Sequence, residues 1–101
     1  MPQRQRVLQE TRTSHSPAEV LQSAKEFFAR QTGIYAAFPE QESKTHVSLR
    51  GQGGEEVVIA AITGNGGTQV TGSTYLFDQQ VARFLATLAP VPEDVTTSGG
   101  V

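Results

Sequence analysis

The stretch that decides the fold is Glu55-Glu56-Val57-Val58-Ile59-Ala60-Ala61-Ile62-Thr63-Gly64-Asn65-Gly66-Gly67-Thr68-Gln69-Val70-Thr71-Gly72-Ser73-Thr74-Tyr75-Leu76-Phe77. Two runs rich in β-branched residues flank Asn65-Gly66, a dipeptide that favours the tight turn of a β-hairpin. Gly72 interrupts the second run, which points to a bulge or to a close approach of other backbone or side chains.

Working outward, the next strand upstream is Lys44 to Arg50. It places Thr45, Val47 and Leu49 on one face and Lys44, His46, Ser48 and Arg50 on the other. Gly51-Gln52-Gly53-Gly54 joins it to the central hairpin. Ile34 to Phe38 reads as a further strand, ended or edged by Pro39, and Glu40 to Ser43 as a polar bend. Arg6 to Ser14 carries Val7, Thr11 and Thr13 and reads as a polar edge strand.

Helix signals bracket these strands. Ser16-Pro17-Ala18-Glu19 combines an N-cap, a favoured proline and the glutamate of a capping box. Val20, Leu21, Ala24, Phe27 and Phe28 follow on one helical face, and Gly33 is placed to end the helix in the left-handed conformation. Downstream, Asp78 is expected to cap a second helix with the stripe Val81, Phe84, Leu85 and Leu88, stopped by Pro90 and Pro92. The order is β-α-β-β-β-β-α: an α+β fold with an antiparallel sheet of four or five strands and two helices. Residues 1–5 are expected to form a flexible arm, residues 6–90 one α+β domain, and residues 91–101 a disordered tail rich in Thr, Ser and Gly.

Composition bounds the function. The chain has 101 residues, enough for a core without staples but with little volume left for a deep pocket. Cysteine is absent, which removes disulfides, thiolate nucleophiles and cysteine-bound metals. No apolar run approaches the ~20 residues of a membrane span, so a cytoplasmic protein without a membrane partner is the default. The net charge of −2 disfavours nucleic acid as a partner, with a short basic arm at Arg4, Arg6 and Arg12 as the one exception.

Catalytic patterns are weak. His15 and His46 lie far apart without a ligand-type spacing, so no metal or other cofactor is expected. The run Ser14-His15-Ser16 is better explained by helix capping than by a nucleophile and base. Glu40 and Glu42 would need unlike environments to share acid–base work, and a polar bend keeps both ionised. Neither glycine-rich loop leads into a helix, as a phosphate cradle requires.

The element order from Arg6 to Ala89 resembles two known architectures. One is the START-like helix-grip superfamily, with an opening strand, a Ser/Pro-led helix like Ser14 to Val20, and a closing strand and helix like Gly67–Thr71 and Val81–Leu85. The other is the half-repeat of TATA-binding-protein-like folds. The first implies an apolar ligand held between sheet and last helix. The chain is short for that enclosure, and it lacks the basic saddle of the second.

The feature with most functional content is Val57 to Ile62, which is apolar on both faces. A strand with one face in water should alternate. Sheet curvature with the N-terminal strand or the tails, a second chain, or an apolar ligand is expected to cover the face that the helices do not. The expectation is a non-enzymatic interaction module, a homodimer or a small subunit of a larger assembly. Its interface would use Val58, Ala60, Ile62, Tyr75 and Phe77, with His46 and Arg50 at the rim. The alternative is a small binder of an apolar molecule, lined by Phe27, Phe28, Phe84 and Leu88. No catalytic residue is assigned.

Overall fold

The computed structural model describes residues 7–91. The elements are β1 (Val7–Thr13), α1 (Pro17–Ala29), a short 3-10 turn (Gly33–Tyr35), β2 (Ala37–Glu42), β3 (His46–Gly51), β4 (Glu56–Gly64), β5 (Gly67–Thr74) and α2 (Asp78–Ala86). All five strands form one antiparallel sheet in the order β1-β5-β4-β3-β2. The expected arm at residues 1–5, and all of the expected tail except Val91, lie outside the described residues.

The central hairpin follows from its turn. Gly64 pairs with Gly67, and Asn65-Gly66 spans the gap. Gly66 takes φ 75°, whereas no described residue other than glycine has positive φ. The left-handed step therefore falls on the residue without a β-carbon. The β4–β5 ladder then runs without a shift from Gly64↔Gly67 to Val57↔Thr74, so Gly72 is not a bulge. It marks a close approach of α2.

Both helices pack on one face of the sheet. Val47, Leu49, Val57, Ile59, Ala61 and Val70 point to them and are buried. Val20, Leu21, Ala24 and Phe28 come from α1, and Val81, Phe84 and Leu85 from α2. The capping box of α1 is formed: the Glu19 N–H donates to Ser16 Oγ (3.2 Å), and the Ser16 N–H donates to Glu19 Oε1 (2.8 Å).

Several boundaries differ from the sequence reading. Strand β3 starts at His46, which leaves Lys44 and an exposed Thr45 in the preceding bend. Helix α1 ends at Ala29, where the Arg30 N–H turns back to the carbonyls of Glu26 and Phe27, although Gly33 does take φ 57°. Ile34 and Tyr35 belong to a 3-10 turn closed by Ala36 N–H to Gly33 O (3.3 Å), so β2 starts at Ala37 and runs through the expected bend to Glu42. Asp78 opens α2 but does not cap it. The cap position is Phe77, whose N–H donates to Thr74 Oγ1 (3.2 Å).

Candidate functional site: the open sheet face

Strand pairing puts a second set of side chains on the face away from the helices. From β1 to β3, Leu8, Ser73, Val58 and Ser48 stand in one row, and Glu10, Thr71, Ala60 and His46 in the next. Arg12, Gln69 and Ile62 form a third row, and Phe38 pairs with Arg50 and Arg50 with Glu56 at the other end. No described helix or loop lies over this face. The N-terminal strand does not fold across it but extends the sheet at its edge.

The centre of the face is made of small side chains: Val58 and Ala60 are half-buried among their neighbours, and Ser48 is buried. Larger apolar groups stand around it. Ile62 is 57% exposed, Leu8 62% and Phe38 52%. Five strands at ~4.8 Å spacing and about six residues of ~3.3 Å give a planar outline of roughly 480 Å², before side-chain relief is counted. That is roughly 60% of the about 800 Å² per partner of a standard protein interface, so the flanking Leu8, Phe38 and Ile62 side chains would have to add to it.

The rim is charged. Arg50 Nη2 donates to Glu40 Oε1 (2.7 Å), and its Nη1 to the Gly54 carbonyl (3.1 Å). Its hydrogen bonds to the Glu40 carboxylate, and that group's charge, hold the Arg50 pKa above its ordinary value. Beside it, Arg50, Glu55, Glu56, Tyr75 and Leu76 line part of a shallow groove of about 250 Å³. Glu42 pairs with Lys25 of α1 (2.9 Å). The carboxylates weighed as an acid–base pair are therefore each matched to a cation.

Of the expected interface residues, Val58, Ala60, Ile62, His46 and Arg50 come together on this face, and Tyr75 follows β5 at its end. Phe77 does not. It is 3% exposed and belongs to the core, with its ring centroid 5.7 Å from that of Tyr35. It lies past the end of β5, so the strand alternation that links it to Tyr75 does not reach it. Leu8 and Phe38 join the face without having been read from sequence. Their signal was register, which fixes partners only once strand neighbours are known.

The aromatic set proposed as a ligand lining is packed on itself. The ring centroids of Phe27, Phe28 and Phe84 lie 5.1–5.8 Å apart in tilted and edge-on pairs, and Leu88 is buried beside the core. These side chains fill the space between the helices.

Neither histidine sits in a catalytic arrangement. His46 Nδ1 lies 2.7 Å from Ser43 Oγ, but that oxygen also accepts the N–H groups of Thr45 and His46, which makes it a turn brace. His15 Nδ1 is 3.6 Å from Glu19 Oε1, while Ser16 Oγ is engaged in the helix cap. Among the described residues, no three His, Cys, Asp or Glu side chains group as a metal site, and no helix is long and apolar enough to cross a membrane.

Fold and site together define a class: a small α+β module with one sheet face closed by helices and the other open. No protein-family model matches the chain, and no curated protein or solved structure shows significant similarity to it.

Proposed function

We propose that this protein is a non-enzymatic interaction module that pairs through its open sheet face with a second copy of itself, as a homodimer or within a larger assembly. The observation that carries this reading is the half-buried pair Val58 and Ala60 among small neighbours, bordered by exposed Leu8, Phe38 and Ile62 and left uncovered by every described element. A sheet face of this kind is half of a sheet-on-sheet packing. Its rim carries both signs of charge, at Arg50 and Glu56, which suits a self-complementary contact. We take the setting to be cytoplasmic, as the default for a chain whose described helices include no membrane span. The packed Phe27, Phe28 and Phe84 rings count against the apolar-ligand reading.

Sedimentation of the purified protein tests it. The wild type is expected to associate at micromolar concentrations, and Ile62→Lys and Val58→Lys to reduce that association while leaving the thermal transition in place. A wild type that stays monomeric at high micromolar concentration would rule out the self-contact.

A further inference from the structure

The two edges of the sheet are built differently. The β2 edge is guarded. It contains Pro39, its register with β3 shifts between Pro39 and Gln41, and it carries Glu40 and Glu42. Proline, bulges and charge are the devices that keep an edge from pairing with another chain. The β1 edge has no proline and no register break: it pairs continuously with β5 from Val7↔Thr74 to Thr13↔Thr68. It is an intact template for one more strand.

Its charges then select a partner. Glu10 and Arg12 are exposed on the open-face side of β1, two positions apart and of opposite sign. If β1 meets a second β1 antiparallel about a two-fold at Thr11, Glu10 of each copy stands opposite Arg12 of the other. A two-fold at Glu10 would instead set the two Glu10 carboxylates against each other, which is unfavourable. The sequence thus favours one register and opposes its nearest alternative.

We propose that β1 pairs antiparallel with the β1 of a second copy, centred on Thr11 and fixed by two Glu10–Arg12 cross-pairs. The shared ladder runs from Gln9 to Thr13. Beyond it the Ser14 N–H is already donated to the Ala89 carbonyl (3.1 Å), which closes the end of the strand. Because paired residues of an antiparallel ladder share a face, this two-fold puts both helix layers on the same side. The two open faces become one continuous surface of double width. This contact is separate from the face-to-face contact proposed above and does not depend on it.

Charge exchange tests it. Association of the full chain is measured by sedimentation for the wild type, Glu10→Arg, Arg12→Glu and the double exchange, each with and without Ile62→Lys. Each single reversal creates two like-charge pairs and is expected to weaken association by about thirtyfold, and the double exchange to return it to within about threefold of its parent. Singles that associate like their parent, or a double variant weaker than either single, overturn the proposal. Each charge also has an internal contact, Gln69 Nε2 to Glu10 (2.7 Å) and Arg12 to the Asn65 carbonyl. Loss of those contacts would accumulate in the double variant, so recovery there reports the edge pairing. The Ile62→Lys series separates the two contacts: association that survives Ile62→Lys and follows the exchange belongs to the edge. If Ile62→Lys changes nothing while the exchange pattern holds, the face contact fails and the edge stands.

Discussion

A β-carbon added at Gly72 would lie 2.7 Å from Val81 Cγ1 and 3.2 Å from Ile59 Cδ1. Gly72 is thus the point where α2 presses on the sheet, and the missing side chain sets how close the helix comes. Gly72→Ala is expected to destabilise the protein by about 1–3 kcal/mol, as overpacking does, although alanine suits a strand better than glycine. Urea unfolding measures it. An unchanged midpoint would mean that Val81 turns away at no cost.

The capping box gives a pH signature. The Glu19 carboxyl is held below its ordinary 4.5, chiefly by the hydrogen bond from the Ser16 backbone N–H and further by the nearby His15. A carboxylate depressed in the folded state stabilises fully above its unfolded value and loses that contribution as pH falls through the folded one. Glu19→Gln should therefore melt below the wild type at about pH 7, with the gap closing below about pH 4. Ser16→Ala removes the hydroxyl acceptor and should cost about 1 kcal/mol near neutrality. Melting curves across pH check both.

The strands and helices were legible because their signals are local. Val20, Leu21, Ala24 and Phe28 repeat at helical spacing, Val47 and Leu49 alternate, and Asn65-Gly66 forces a hairpin. What depended on tertiary placement was not legible. The 3-10 turn at Ile34 and Tyr35 exists where Tyr35 reaches the Phe77 ring, a contact between segments far apart in the chain. The doubly apolar β4 announced two distinct faces, but only the register showed that Val57, Ile59 and Ala61 take the helix side and Val58, Ala60 and Ile62 the open one. Leu8 and Phe38 reach the open face through strand neighbours that sequence spacing does not specify.

The three-ring cluster predicts how the space between the helices behaves. Phe84 is fully buried and meets both Phe27 and Phe28. Phe84→Ala should cost about 3–5 kcal/mol and leave a dry apolar cavity. Benzene should then raise the melting temperature of the variant and not that of the wild type, because apolar cavities of this kind take up small aromatic molecules. Equal stabilisation of the wild type would show that room for a ligand already exists beside the rings.

Thr74, more than Asp78, should anchor the start of α2. Its hydroxyl is buried, donates to the Glu56 carbonyl (2.9 Å) and accepts the Phe77 N–H (3.2 Å). One oxygen thereby ties β5 to β4 and satisfies a helix-terminal amide that is shut off from water. Thr74→Val keeps the shape but leaves the Phe77 N–H and the Glu56 carbonyl without this partner, at a cost of about 1–3 kcal/mol. Asp78 is exposed, and its side chain makes no capping hydrogen bond at Phe77, so Asp78→Ala should lose only its favourable charge at the helix start, about 0.3–1 kcal/mol. High salt should shrink the Asp78 effect and leave that of Thr74 intact, since screening acts on exposed charges and not on a buried hydroxyl. Unfolding of both variants at low and high salt measures the contrast. A larger loss for Asp78→Ala would return the helix cap to the aspartate.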